Sequence, residues 1–277
     1  MNDSATPGRL SRRVLAERAA PSLLDLAPGL MRVCRTVEQR LAAHGPWTAG
    51  DPGRSIAIEQ GAIEQFLQQV MRARGQGFPA VCSFTATGGG DPLLVAADLE
   101  PTPAGALASV WFPMPEREPA GGWLALLHDV AEGFGAHHAH LEADDLLMRY
   151  QGRRATERAR AATPPELRAY IPDPPAFVDG MNLDLLVPQE YDRRQVPAGV
   201  WWINYWDRAQ IATLGEGRVR GAGWAQVVEA AEGALLLTTT DEPLDLANRA
   251  HVERLRLLID NLGLLDAQRH ARYESSG

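Results

Sequence analysis

The sequence predicts an α+β fold: a mostly antiparallel sheet with amphipathic helices packed on it, preceded by N-terminal helices. Three observations lead there. β-rich runs at 80–86, 93–99 and 106–112 follow one another across connections too short for a helical crossover, which makes them an antiparallel meander. Apolar residues recur at helical spacing on either side of that meander. β-rich runs then return at 136–142, 200–206 and 234–240, so the order of elements is not the strict alternation of a parallel α/β fold.

The elements follow in chain order. Residues up to about 29 are polar and punctuated by proline, and predict an irregular or partly helical arm before a single domain over 30–277. Leu30, Val33, Cys34, Val37 and Leu41 mark a helix with one buried face, stopped by Gly45-Pro46. After a turn-rich stretch around Asp51-Pro52-Gly53, Ile63, Phe66, Leu67, Val70 and Met71 repeat the signature. The meander comes next. Trp123, Leu124, Leu127, Val130, Ala131 and Phe134 then predict a helix closed by Gly135, followed by a strand through AHHAHLEA. The arginine- and proline-rich segment 152–175 predicts a connector between two halves of the domain. Beyond it lie the aromatic strand VWWINYW (200–206), a short helix DRAQIATLG, a glycine-rich loop GEGRVRGAG (215–223) and the strand ALLLTTT (234–240). A last helix is expected with Asn248 as N-cap, Val252, Leu255, Leu258, Ile259 and Leu262 as its buried face, and Gly263 at its end.

Composition narrows the function. At 277 residues and 45% hydrophobic content, the chain has enough apolar surface to build a core without staples. Cys34 and Cys82 are far apart and read as small buried residues, with neither disulfide nor zinc spacing. All 27 basic residues are arginine and the net charge is −8, a balance that disfavours nucleic acid and suits a basic partner. The N-terminal residues hold no apolar stretch fit for a signal peptide, and no window approaches the roughly 20 apolar residues of a membrane span, so a cytoplasmic, membrane-free protein is expected.

Few motifs carry chemistry. GEGRVRGAG follows a helix and has the wrong third-glycine spacing for a dinucleotide fingerprint. TGGGD (87–91) lacks the lysine and Ser/Thr of a phosphate loop. There is no GxSxG elbow and no familiar Cys/His spacing, so no nucleophile is nominated. On a strand, His138, His140 and Glu142 share one face. That pattern is read as a solvent-facing stripe on a sheet edge or, alternatively, as the ligand set of a metal-dependent enzyme. Trp201, Trp202, Tyr205 and Trp206 load both faces of the next strand, which is read as a central strand between helix layers or as partly exposed binding anchors, with Trp202 and Trp206 foremost. The same strand is also a candidate for self-association. Acidic clusters at Glu142, Asp144 and Asp145 and at Asp241, Glu242 and Asp245 each follow a strand, and are read as solvated loop ends or as a patch for a basic partner.

Over residues 199–265, the segments GVWWINYWDRAQIATLG, GALLLTTTDEP and NRAHVERLRLLIDNLG, with Trp224 between them, resemble the end of bacterial immunity proteins of type VI secretion and polymorphic-toxin systems. The resemblance implies a non-enzymatic cytoplasmic protein, without cofactor, that neutralises a cognate toxin by occluding its active site. It transfers no catalytic residues, and it leaves the toxin class open.

Overall fold

The structure is a computed structural model that describes residues 13–42, 44–50, 53–74, 80–88, 93–102, 105–113, 118–142, 156, 159–170, 191–245 and 248–274. Its strands are β1 (Arg13–Ala19), β2 (His44–Ala49), β3 (Arg54–Ile56), β4 (Ala80–Gly88), β5 (Leu93–Thr102), β6 (Gly105–Pro113), β7 (His138–Glu142), β8 (Ile203–Trp206), β9 (Gln226–Glu229) and β10 (Leu235–Thr238). They form one ten-stranded sheet in the order β3-β2-β4-β5-β6-β1-β7-β8-β10-β9. Every pairing between them is antiparallel. The expected α+β class and the β4–β5–β6 meander are both present.

The helices are α1 (Ala27–Leu41), α2 (Gln60–Arg74), α3 (Gly122–Phe134), α4 (Arg208–Leu214), α5 (Glu216–Gly221), α6 (Arg249–Leu262) and α7 (Leu264–Glu274). Register shows which face α3 covers. Val14 of β1 opposes Leu141 of β7, and Ala139 of β7 opposes Tyr205 of β8, so these residues share one face of the sheet. The Tyr205 hydroxyl donates to Glu132 of α3 at 3.1 Å. Leu126, Leu127, Val130 and Phe134 of α3 are buried, each side chain contributing roughly 1.5–3 kcal/mol. α1 packs close against α3 because Gly29 lacks a side chain: a Cβ there would sit 3.0 Å from the Phe134 ring. α3 ends as its sequence predicts, with Gly135 at φ 71° and its N–H on the carbonyls of Ala131 and Glu132.

On the opposite face, Trp206 is fully buried and meets Trp224 edge to face at 5.4 Å. β8 is therefore covered on both sides, which is why its sequence reads as an unbroken aromatic run. α6 begins at Asn248, whose side chain accepts from the Ala250 N–H at 3.0 Å, and ends at Gly263 with φ 60°.

Several expectations are corrected. Within the expected irregular arm, residues 13–19 form a strand that pairs with β6 on one side and β7 on the other. The sequence RVLAERA hides it, because its polar side chains find partners far along the chain instead of facing water. The turn-rich stretch after α1 carries the β2–β3 hairpin. The glycine-rich loop at 215–223 contains α5, and both β9 and α7 went unforeseen. Of the 152–175 connector, residues 156 and 159–170 are described, and Pro165–Tyr170 form a 3-10 helix. The sheet itself runs continuously from β7 to β8.

Candidate functional site

The most chemically loaded place in the described residues is the seam where β1, β7 and β8 meet, on the face away from α3. Register brings its members together. Glu17 opposes His138, Leu15 opposes His140 and Arg13 opposes Glu142 across β1–β7. His138 opposes Trp206, and His140 opposes Asn204, across β7–β8. All five residues of β7 are buried, so the three predicted side chains do share a face, but that face is covered and the strand is central. The edge-stripe reading is overturned by the two strands that flank β7.

Each polar side chain in this buried row is held. Arg13 pairs with Glu142 at 3.2 Å, and Arg193, from the segment leading to β8, pairs with Glu17 at 2.9 Å. His138 Nε2 and His140 Nδ1 lie 3.1 Å apart, which makes one ring the donor and the other the acceptor. The His140 ring stacks on Trp201 with centroids 4.3 Å apart. Asn204 is fully buried: its amide donates to the carbonyls of Trp201 and Leu237, and its carbonyl accepts from the Trp201 N–H. Thr239 adds a hydroxyl bond to the Trp201 carbonyl. Gln210 of α4 donates to the Arg193 carbonyl at 2.8 Å. Gln210 also lies near enough to His138 to favour its charged form, yet neither Gln210 Oε1 nor His138 Nδ1 completes a hydrogen bond.

Burial sets the protonation of these rings. Desolvation pushes His137 down to about 4, against the pull of Asp192, and His138 to about 3, and it holds His140 well below the usual imidazole range; Arg193 beside His138 and Arg13 beside His140 add to the effect. At neutral pH the row holds uncharged imidazoles between two buried ion pairs. A proton shuttle works best with a pKa near the working pH, and burial holds these rings below it.

The metal reading fares no better. Glu142 is engaged by Arg13, and among the described residues no group of three His, Cys, Asp or Glu side chains is gathered to hold an ion. His138, His140 and Glu142 lie along one packed row and do not gather into such a group.

The binding anchors are corrected too. Trp202 is 4% exposed and Trp206 0%, so both belong to the core. Trp202 donates to the Thr240 carbonyl at 3.1 Å and meets Trp123 edge to face. β8 is hydrogen-bonded by β7 and β10, so it has no open edge through which copies could pair. Asp241, Glu242 and Asp245 are exposed as expected. Leu141 and Thr238 both align with Ile203, so the ends of β7 and β10 lie at the same end of the sheet. Glu142 is nevertheless buried there, and Asp144 and Asp145 lie outside the described residues.

Glu17, Arg13, Arg193, Asn204 and Gln210 were not singled out from sequence. Glu17 and Arg193 are 176 positions apart, and no local pattern links them. The one available signal was a pair of charges, Arg13 and Glu17, set four apart in a segment otherwise spaced like a strand.

No family model matches the chain, and no curated protein matches it. Among solved structures, a Pseudomonas aeruginosa T6SS protein shares its fold, at 14% sequence identity and a TM-score of 0.53. The alignment covers 96% of this chain and 77% of that one. At that identity the likeness is one of fold.

Proposed function

We propose that this chain is an immunity-type protein of type VI secretion, which binds and neutralises a cognate toxin in the cytoplasm without catalysis. The observation that carries the reading is the fold shared with the P. aeruginosa T6SS protein across 96% of the chain. The resemblance of residues 199–265 to immunity proteins points to the same system, and adds the neutralising role.

The surface offered for binding is narrower than the sequence suggested. With Trp202, Trp206 and Glu142 buried, the candidates among the described residues that face solvent are Asp241 and Glu242, with Asp245 beyond them, between β10 and α6. A net charge of −8 favours a basic toxin by steering encounter.

The test is co-purification with the toxin encoded beside the gene. A stable one-to-one complex is expected, and the double variant D241R/E242R should slow association about ten-fold while leaving the thermal midpoint unchanged. Failure to form any complex with that toxin, when both proteins are folded, overturns the reading.

A further inference from the structure

The buried row does something the binding role does not require. β8 is joined to the rest of the sheet through β7 on one side, and their register runs over four residue pairs, His138 to Trp206 through Leu141 to Ile203. Two of those pairs contain an imidazole, and the two rings are in direct contact with each other. We propose that the His138–His140 pair makes the β7–β8 seam the acid-sensitive joint of the molecule, which opens before the β4–β6 meander as the pH falls.

The argument rests on what surrounds the pair. β1 presents Glu17 and Arg13, but each is already committed, Glu17 to Arg193 and Arg13 to Glu142. β7 itself adds Glu142 and, just before the strand, His137. The segment before β8 presents Arg193 together with Asp192 and Arg194, which pair with each other at 2.7 Å. α4 presents the uncharged Gln210, and the segment entering β8 presents the ring of Trp201 and the amide of Asn204. A proton added to either imidazole therefore enters a site where Arg13 and Arg193 are near and both facing carboxylates are shared with those guanidinium groups. A singly protonated pair keeps the contact between the rings but carries a buried charge, and a second proton leaves no acceptor between them.

The sign follows from linkage. A histidine held below its unfolded value of about 6.5 binds its proton more readily in the open state. The seam is fully stable above about pH 6.5 and loses stability as the pH falls below it, down to the folded values of about 3 for His138 and about 4 for His137. Between pH 8 and pH 5, each histidine that must stay neutral lowers the closed-to-open ratio about 30-fold.

The experiment is hydrogen exchange on the full chain at pH 7.5, 6 and 5, corrected for intrinsic rates, comparing amides of 138–142 and 203–206 with those of 95–99. The expected result is protection at the seam that falls about 30-fold or more between pH 7.5 and 5, while the meander holds. Equal loss in both regions, or no loss at the seam, overturns the proposal. The double variant His138→Gln/His140→Phe, which keeps a ring on Trp201, should remove most of the seam's pH dependence; retention of the whole dependence in a folded variant also overturns it. So does a rise in thermal midpoint with one equivalent of zinc that the double variant lacks, because the pair would then be a metal site.

Discussion

The β4–β5–β6 meander and the β1–β7–β8 seam are neighbouring parts of one sheet built on opposite principles. In the meander, strands adjacent in sequence pair with each other, and the buried residues are apolar: Phe84, Val95, Ala97, Leu99, Ala108, Val110 and Phe112. In the seam, three strands come from residues 13–19, 138–142 and 203–206, and one face carries Glu17, His138, His140, Glu142 and Asn204 out of water. The apolar residues that fill the meander have no proton to gain or lose, so their packing ignores pH. A buried polar row holds only while each group keeps its partner. Distance along the chain and polarity of the interior coincide in the seam, and that makes it the place where stability is conditional.

The largest expected effects test whether the two regions share one cooperative core. Phe84 in the meander and Trp206 in the seam are both fully buried, and each meets another ring, Phe66 at 5.4 Å and Trp224 at 5.4 Å. Phe84→Ala and Trp206→Ala should each cost about 4 kcal/mol in urea unfolding at pH 7.5. The comparison is sharpened by how the loss is distributed. If hydrogen exchange shows that Trp206→Ala exposes the seam alone while the meander keeps its protection, the sheet has two units of stability; if both variants lower protection everywhere, it has one.

Legibility divides along the same line. The meander could be read almost residue by residue, because short apolar runs separated by turn signals are a local pattern. α3 and α6 were equally readable from their apolar spacing and closing glycines. β1 was lost because RVLAERA carries three charges in seven residues, and their partners lie elsewhere in the chain. The face shared by His138, His140 and Glu142 followed from period-two geometry, but its burial did not, since a central position for β7 depends on β1 and β8 closing on either side. The aromatic strand shows the reverse. Rings on both faces of the run point to burial on both sides, and the structure places it there, with Trp202 and Trp206 in the core.

A middle-sized effect comes from the ion pair that ties the segment before β8 to β1. Arg193 and Glu17 are 18% and 6% exposed, so their separation leaves a charge with little water. Glu17→Gln should destabilise the protein by about 3 kcal/mol, because removal of one partner from a buried pair strands the other. Urea unfolding at pH 7.5 measures it. An effect below about 1 kcal/mol would place this pair with exposed surface ion pairs, and would weaken the contrast between seam and meander.

The smallest expected effect separates a cap from its context. Asp207 caps α4 by accepting from the Gln210 N–H at 2.9 Å, and Asn248 caps α6 in the same way from Ala250 at 3.0 Å. As caps they are equivalent, so Asp207→Ala and Asn248→Ala should each cost about 1 kcal/mol. They differ in what the helix carries. α4 holds Gln210, whose amide fixes the Arg193 carbonyl and so the segment that pairs with Glu17, and the Asp207 N–H itself donates to the His137 carbonyl beside β7. Fraying the start of α4 therefore loosens the seam, whereas fraying α6 does not reach it. Asp207→Ala should raise exchange at 138–142 and 203–206, and Asn248→Ala should leave those amides unchanged. Equal exchange in the two variants would mean that α4 lies on the seam without holding it, and that the polar row is kept closed by its own strands.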